Sequence, residues 1–104
     1  MRPRLLVATS TSDPGGTERQ MALLLPRLSD RFDVWWCAYL GSGWLARELR
    51  AAGNVRPALG ARSGAAGPAG LLTALLRTRP DIAYLHGLRA ELVLRAPAAT
   101  FGAR

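Results

Sequence analysis

The sequence predicts an α/β protein: a parallel, doubly wound sheet of about four strands with helices on both faces. Short apolar runs alternate four times with segments whose apolar residues recur at helical spacing. The apolar runs carry almost no charge, which is typical of strands buried on both faces. Right-handed crossovers then favour the strand order 3-2-1-4, within one domain that spans residues 1–104.

The first predicted strand, residues 4–9, leads through a turn at residues 10–16 into a helix over residues 17–28. Gly15 and Gly16 permit positive φ and a close approach of a ligand to the bare backbone. A strand, a glycine turn and a helix N-terminus together bind anions in many α/β proteins, because free N–H groups and the helix dipole point at the ligand. A purely structural turn is an equally good interpretation.

The start of this helix combines a cap with a favourable charge. We expect Thr17 at the N-cap, with Gln20 as its capping-box partner, and Glu18 near the positive end of the dipole. Pro26 removes one backbone hydrogen bond and is expected to kink the helix. The apolar stripe expected to face the sheet consists of Met21, Leu24, Leu25 and Leu28.

The second strand and the second helix are predicted because a continuous apolar run is followed by apolar residues at helical spacing. Residues 32–40 are rich in β-branched and aromatic side chains and predict a buried strand. Helical spacing follows over Trp44–Ala52, with Leu45 and Leu49 facing inward. Gly53 is expected to end this helix, because glycine readily adopts the left-handed conformation of a helix C-terminus.

The third strand is predicted over residues 55–59, at the edge of the sheet. Pro57 favours that place because proline has no N–H to donate to a central ladder. Residues 60–70 are rich in glycine and alanine, and we expect them to form the least ordered internal stretch. They form a surface loop or a mobile binding-site loop, with Pro68 placed to start the next helix.

The last elements follow the same alternation. The third helix is expected to end before Arg79 and Pro80, because the residue before proline avoids helical backbone angles. Residues 81–86 predict the fourth strand, residues 90–95 a short helical start, and residues 98–104 show no pattern. The apolar face of the third helix is expected to consist of Leu71, Leu72, Leu75 and Leu76.

Composition narrows the classes of function. The net charge is +7 and all 14 basic residues are arginine, but they are scattered along the chain, so we expect no nucleic-acid partner. The single Cys37 is expected in the core, and a reducing, cytoplasmic location fits it best. One histidine and one cysteine cannot assemble a metal cluster or a Ser/His/Asp triad, so no metal is expected. No apolar run has the roughly 20 residues of a transmembrane helix.

A candidate site follows from the strand order alone. Doubly wound sheets bind ligands at the carboxyl ends of the strands where the order reverses, here between the first and fourth strands. Gly15, Gly16 and His86 all fall at that place. A buried structural histidine is the alternative for His86, and helix-end electrostatics is the alternative for Glu18. The tryptophans are expected in the core rather than stacked on a ligand: Trp35, Trp36 and Trp44.

Three motifs, taken in order, resemble the N-terminal domain of family 4-like glycosyltransferases. They are Gly-Gly-Thr-Glu-Arg-Gln at residues 15–20, Leu-Arg-Ala-Ala-Gly at residues 49–53, and Arg-Pro-Asp-Ile-Ala-Tyr-Leu-His-Gly at residues 79–87. The resemblance covers essentially the whole chain. It implies a Rossmann-like domain of the GT-B architecture, in which two such domains face each other across a cleft. The activity implied is transfer of a sugar from a nucleotide-sugar donor to an acceptor, with no cofactor.

The resemblance implies site residues in the first and the third of these motifs. Gly15 and Gly16 are similar to the turn that approaches the donor diphosphate. His86 and Gly87 are similar to the cleft-facing end of the fourth strand, and Glu18 is a further cleft contact. The resemblance implies a glycan or lipid-linked acceptor. A peripheral contact with a membrane stays open, and no catalytic residue is assigned.

The chain departs from the family pattern in ways that bear on activity. Tyr84 stands where relatives often have histidine, and the chain stops before the family's fifth strand, its later histidine and its second domain. We therefore expect a partial acceptor-side domain that is inactive alone and associates through its fourth strand. Two alternatives are a non-enzymatic nucleotide- or phosphate-binding module and an interaction subunit of a split transferase, completed by a partner chain.

Overall fold

The computed structural model describes residues 2–11, 16–41 and 43–87, without the side chains of residues 17, 61 and 62. Within these residues, strands and helices alternate as predicted. Gly15, residues 90–95 and residues 98–104 lie outside the described residues, so the predictions made for them stay predictions. The elements are β1 (Arg4–Thr11), α1 (Gly16–Leu28), β2 (Asp33–Leu40), α2 (Trp44–Ala52), β3 (Arg56–Pro57), a 3-10 helix (Gly60–Gly64), α3 (Gly67–Thr78) and β4 (Ile82–His86).

The sheet has four parallel strands in the order β3-β2-β1-β4, which confirms the predicted Rossmann-like arrangement. β1 lies at the centre, so that Thr9 is opposite Ala38 on one side and His86 on the other. β3 pairs with β2 through only two residues, one of which is Pro57. The edge position predicted from this proline is confirmed.

The core is divided between the two faces of the sheet. Alternate residues of β1 point to opposite faces, with Leu5 and Val7 towards α1 and α2, and Leu6 and Ala8 towards α3. The buried members on the α1 face are Leu5, Val7, Met21, Leu25, Val34, Trp36, Ala38, Leu45, Leu49 and Val55. Those on the α3 face are Leu6, Ala8, Cys37, Ala58, Ala66, Leu71, Ala74 and Leu75.

Trp36 and Cys37 occupy the core, as the sequence predicts. Trp36 is 1 % exposed, and its indole N–H has no hydrogen-bond partner in the part of the chain that is described. Burial raises the pKa of the Cys37 thiol to about 12, although a backbone hydrogen bond at Ala38 acts in the opposite direction. Trp35 and Trp44 are half-buried and pack against the two clusters.

The first turn of the structure differs from the prediction at both ends. β1 continues through Thr11, two residues beyond the predicted strand, because Thr11 still pairs with Leu40 of β2. α1 begins at Gly16, one residue before the predicted start, and Thr17 lies in its first turn. The helix is confirmed, while the predicted capping box stays a prediction, because the side chain of Thr17 is not among those described.

The structure corrects the prediction of a loop at residues 60–70, because these residues form packed structure. Ser63 is fully buried, its hydroxyl accepts a hydrogen bond from the Leu59 N–H at 2.8 Å, and the Ala66 N–H donates to the Ala38 carbonyl at 2.9 Å. A Cβ added to Gly64 would lie 2.9 Å from Gly43 Cα. The small residues are needed for close packing, and they do not indicate a loose segment.

α3 confirms its predicted ends but only half of its predicted apolar face. Pro68 lies in the first turn, and the helix ends at Thr78 before Arg79. Leu71 and Leu75 are buried, whereas the two neighbouring leucines of the predicted face, Leu72 and Leu76, are 36 % and 52 % exposed. On α1, likewise, Met21 and Leu25 are buried, while Leu24 is 43 % exposed.

Candidate functional site

The carboxyl ends of β1 and β4 lie side by side, and they bring His86 next to Thr9. Thr9 follows Leu5 and Val7 on the face of the sheet that α1 covers, and His86 follows Ile82 on the same face. α1 begins directly after β1 on this face. The strand order therefore places His86 beside the end of β1, the strand that leads into α1, at the point where the order reverses.

His86 is half-buried, which is compatible both with a cleft residue and with a structural histidine. Its ring meets the ring of Tyr84 edge to face, with 6.2 Å between the centroids and 85° between the planes. Tyr84 is itself 42 % exposed. The pair gives this end of β4 an aromatic, partly accessible surface, and the cleft role of His86 stays a prediction.

Gly87 closes β4 by passing directly over Ser10 of β1. Its φ is +95°, in the region that favours glycine, and a Cβ added there would lie 2.7 Å from Ser10 Cβ and closer still to Ser10 Oγ. Gly87 therefore has a structural reason to be glycine, whatever it contacts in a ligand. Its side of the sheet is the α3 face, opposite to that of His86.

Gly16, by contrast, has no such structural reason to be glycine among the described residues. It is the first residue of α1, it is not among the residues with positive φ, and a Cβ added to it meets no atom of the described residues within 4 Å. Alanine would fit without a clash and would be a better helix former. The first N–H groups of a helix have no partner within the helix, so this end of α1 is a place where an anion can bind.

Two further polar groups belong to this edge. Glu18 lies in the first turn of α1 and is half-buried. Thr9 is fully buried, and its hydroxyl donates a hydrogen bond to the Thr11 carbonyl at 3.0 Å, which fixes the end of β1. The sequence predicts a turn at residues 10 and 11, whereas β1 continues through both of them. Their alternation of Thr and Ser is compatible with a strand, which was the available signal.

The chemistry open to this edge is limited by its groups. In the described part of the chain, no three His, Cys, Asp or Glu side chains come together in a way that could hold a metal ion. Among the described residues, this edge offers one imidazole, one carboxylate and a set of helix N-terminal amides, from His86, Glu18 and the start of α1. Such groups can bind an anion and hydrogen-bond a polyhydroxylated ligand.

Comparison with known proteins does not narrow the possible functions of this site further. The chain matches no protein-family model, no curated protein and no solved structure at a significant level. None of the helices in the described residues is long and apolar enough to cross a membrane.

Proposed function

We propose that this chain forms the acceptor-side wall of a glycosyl-transfer site, at the carboxyl edge of its sheet. The observation that carries the proposal is that His86, at the end of β4, lies beside Thr9 of β1 at the switch point of a 3-2-1-4 sheet, where α1 follows β1 along the chain. The motif resemblance to family 4-like glycosyltransferases supports the same place. A nucleotide-sugar is the donor, and a glycan or a lipid-linked sugar is the acceptor.

Each group at this edge has a role in the proposal. The amides of the first turn of α1 approach the donor diphosphate through the open space at Gly16. Glu18 and His86 contact hydroxyl groups of the acceptor, and the ring of Tyr84 offers the sugar an aromatic edge. Gly87 keeps the backbone of β4 close to β1, which holds His86 in place.

The reaction requires that this side of the site stabilise negative charge. In glycosyl transfer the bond between the anomeric carbon and the diphosphate oxygen breaks, and a bond from that carbon to an acceptor oxygen forms. Negative charge develops on the leaving diphosphate, and helix N-terminal amides stabilise such charge. The acceptor proton passes to a base that we do not assign to a residue. A second wall, from a partner chain or another domain, would complete the cleft.

Amide chemical-shift mapping of the ¹⁵N-labelled full chain tests the proposal. A nucleotide-sugar and the free nucleoside diphosphate, each at millimolar concentration, are expected to shift the amides of Gly16, Glu18, His86 and Gly87. Gly16→Ala is expected to weaken these shifts while raising stability by up to about 1 kcal/mol, because it fills ligand space and favours the helix. Arg77→Ala, at the opposite end of the molecule, is the control and is expected to leave the shifts unchanged.

The outcomes separate the proposal from its nearest alternative. Shifts at this edge that differ between UDP-sugar and UDP, or between GDP-sugar and GDP, support a transferase wall. Equal binding of nucleotide with and without the sugar supports a nucleotide- or phosphate-binding module instead. No shift at any of these four amides, in folded protein, would overturn both.

A further inference from the structure

The arginines that are scattered along the sequence come together at the amino edge of the sheet. All three α-helices run back from the carboxyl edge, so their last turns lie at the amino edge, and each last turn carries an arginine: Arg27, Arg50 and Arg77. The strand starts and the connections add Arg2, Arg4, Arg31, Arg56 and Arg79. The aspartates at this edge are fewer: Asp30, Asp33 and Asp81.

Two adjoining grooves cross this edge. The larger has a volume of about 460 Å³ and is lined by Arg2, Arg4, Asp33, Arg79 and Asp81. The smaller has a volume of about 200 Å³, shares Arg2 and Asp33 with the larger, and extends past Phe32 and Asn54 to Arg56. Together they form a trough from β3 to β4, which at the usual strand spacing is about 14 Å long.

The two carboxylates in the trough are already engaged by the protein. Asp81 Oδ2 accepts a hydrogen bond from the Arg4 N–H at 2.8 Å, and Asp33 Oδ1 lies 3.6 Å from Arg56 Nε. Among the described residues, Arg2 and Arg4 each donate to one backbone carbonyl, of Ser29 and Thr78, through a single guanidinium nitrogen. A guanidinium has five donors, so most of the donors of these arginines are left for a ligand.

The trough also offers planar groups. Arg56 lies over the ring of Trp35, with 5.2 Å from its central carbon to the ring centroid, and its side chain is 60 % exposed. Phe32 is half-buried in the wall of the smaller groove. A guanidinium plane and an aromatic ring are surfaces on which an unpaired base can stack.

We propose that the amino-edge trough binds single-stranded nucleic acid through its phosphate backbone. Guanidinium forks match phosphate oxygens, and a concave, cationic groove with stacking groups is how proteins hold single strands without reading their sequence. A planar anionic bilayer fits the observations less well, because it could not enter the grooves. This inference is independent of glycosyl transfer, which concerns the opposite edge of the sheet.

Fluorescence anisotropy of a labelled oligothymidylate about 12 nucleotides long, titrated with the full chain, tests this inference. We expect a dissociation constant of about 10⁻⁶ to 10⁻⁴ M near physiological salt, and a log–log salt slope of about −0.7 for each phosphate contacted. The double variant Arg56→Gln/Arg79→Gln removes one arginine from each groove and is expected to reduce that slope by about 1.4. Arg19→Gln/Arg47→Gln, in the first turns of α1 and α2, removes the same charge far from the trough and is expected to change it little.

Three results would overturn the inference. The first is no change in anisotropy at low salt. The second is an equal weakening of oligothymidylate binding in the two double variants, when circular dichroism shows both folded. The third is binding confined to vesicles of phosphatidylcholine with phosphatidylserine. The last would assign the edge to a bilayer. Amide shifts confined to the carboxyl edge when oligothymidylate is added would also oppose it, without affecting the proposed transferase site.

Discussion

Arg4 and Asp81 hold each other through two hydrogen bonds at the start of β1 and β4. The Arg4 N–H donates to Asp81 Oδ2 at 2.8 Å, and the Asp81 N–H donates to the Arg4 carbonyl at 2.9 Å. The side chain of Asp81 satisfies a backbone group of the central strand and so helps to set the register of β4.

Loss of this carboxylate is expected to weaken the junction measurably. Asp81→Ala leaves the Arg4 N–H without its partner and should lower the free energy of unfolding by about 0.5–1.5 kcal/mol. Asp81→Asn keeps an oxygen acceptor and should cost less. Urea denaturation followed by tryptophan fluorescence measures both, and an equal loss in the two variants would contradict the role given to this hydrogen bond.

Gly87→Ala is expected to be among the more damaging single-methyl additions in this chain. The new Cβ would collide with Ser10, and φ at +95° is strained for alanine, so a loss of roughly 1–3 kcal/mol is expected. Ser10→Gly in the same chain removes the collision but leaves the strained backbone. A double-mutant cycle in urea should therefore show partial rescue; full additivity would mean that the two residues do not meet.

Arg79→Gly is expected to stabilise the fold. Arg79 is the C-cap of α3, with φ at +44°, the left-handed conformation that glycine adopts without strain. The gain should be up to about 1 kcal/mol, reduced by the greater freedom of glycine in the unfolded chain. Thermal melting compares it with Arg77→Gly, which lies inside the helix and should be destabilising by about 1 kcal/mol.

Leu75 and Leu76 are neighbours in sequence with opposite surroundings. Leu75 is 1 % exposed in the α3-face cluster, so Leu75→Ala should cost about 2–5 kcal/mol. Leu76 is 52 % exposed, and Leu76→Ala should stay within about 1 kcal/mol. Denaturation midpoints for the two variants test the assigned face of α3, and similar losses at both positions would contradict it.

The Cys37 thiol should make stability fall in alkali. Burial raises its pKa from 9.0 to about 12 in the folded protein, so the unfolded chain loses this proton first as pH rises. The contribution is constant below about pH 9 and then decreases by about 1.4 kcal/mol for each pH unit up to the folded value. The stability difference between the native protein and Cys37→Ala, followed from pH 7 to pH 11, should shrink above about pH 9. A constant difference would show that the thiol ionises equally in both states.

Elements whose place is marked by a glycine or a proline could be predicted closely from the sequence. Gly53 adopts the left-handed C-cap expected of it, and α2 has the predicted bounds. The place of β3 also followed from one proline. The position of His86 beside the end of β1 could be predicted because it needs only the strand order.

Features that depend on distant neighbours could not be predicted. Glycine and alanine at residues 60–70 are compatible with both loose and tight backbone, and the choice depends on Gly43 and Ala38, which are far away in sequence. The close approach of Gly87 to Ser10 and the gathering of arginines at the amino edge have the same origin. Both arise only after the helices have returned the chain to the start of the sheet.

The central position of β1 has a consequence for synthesis on the ribosome. β1 is the first strand to emerge, yet one of its two edges is paired by β4, the last strand of the described fold. At roughly 5–20 residues per second, about 2–9 s separate the end of β2 from the end of β4. During this interval a nascent β1–β2 pair would present an apolar strand edge to the cell, so chaperone dependence should be greatest before residue 86 has left the exit tunnel.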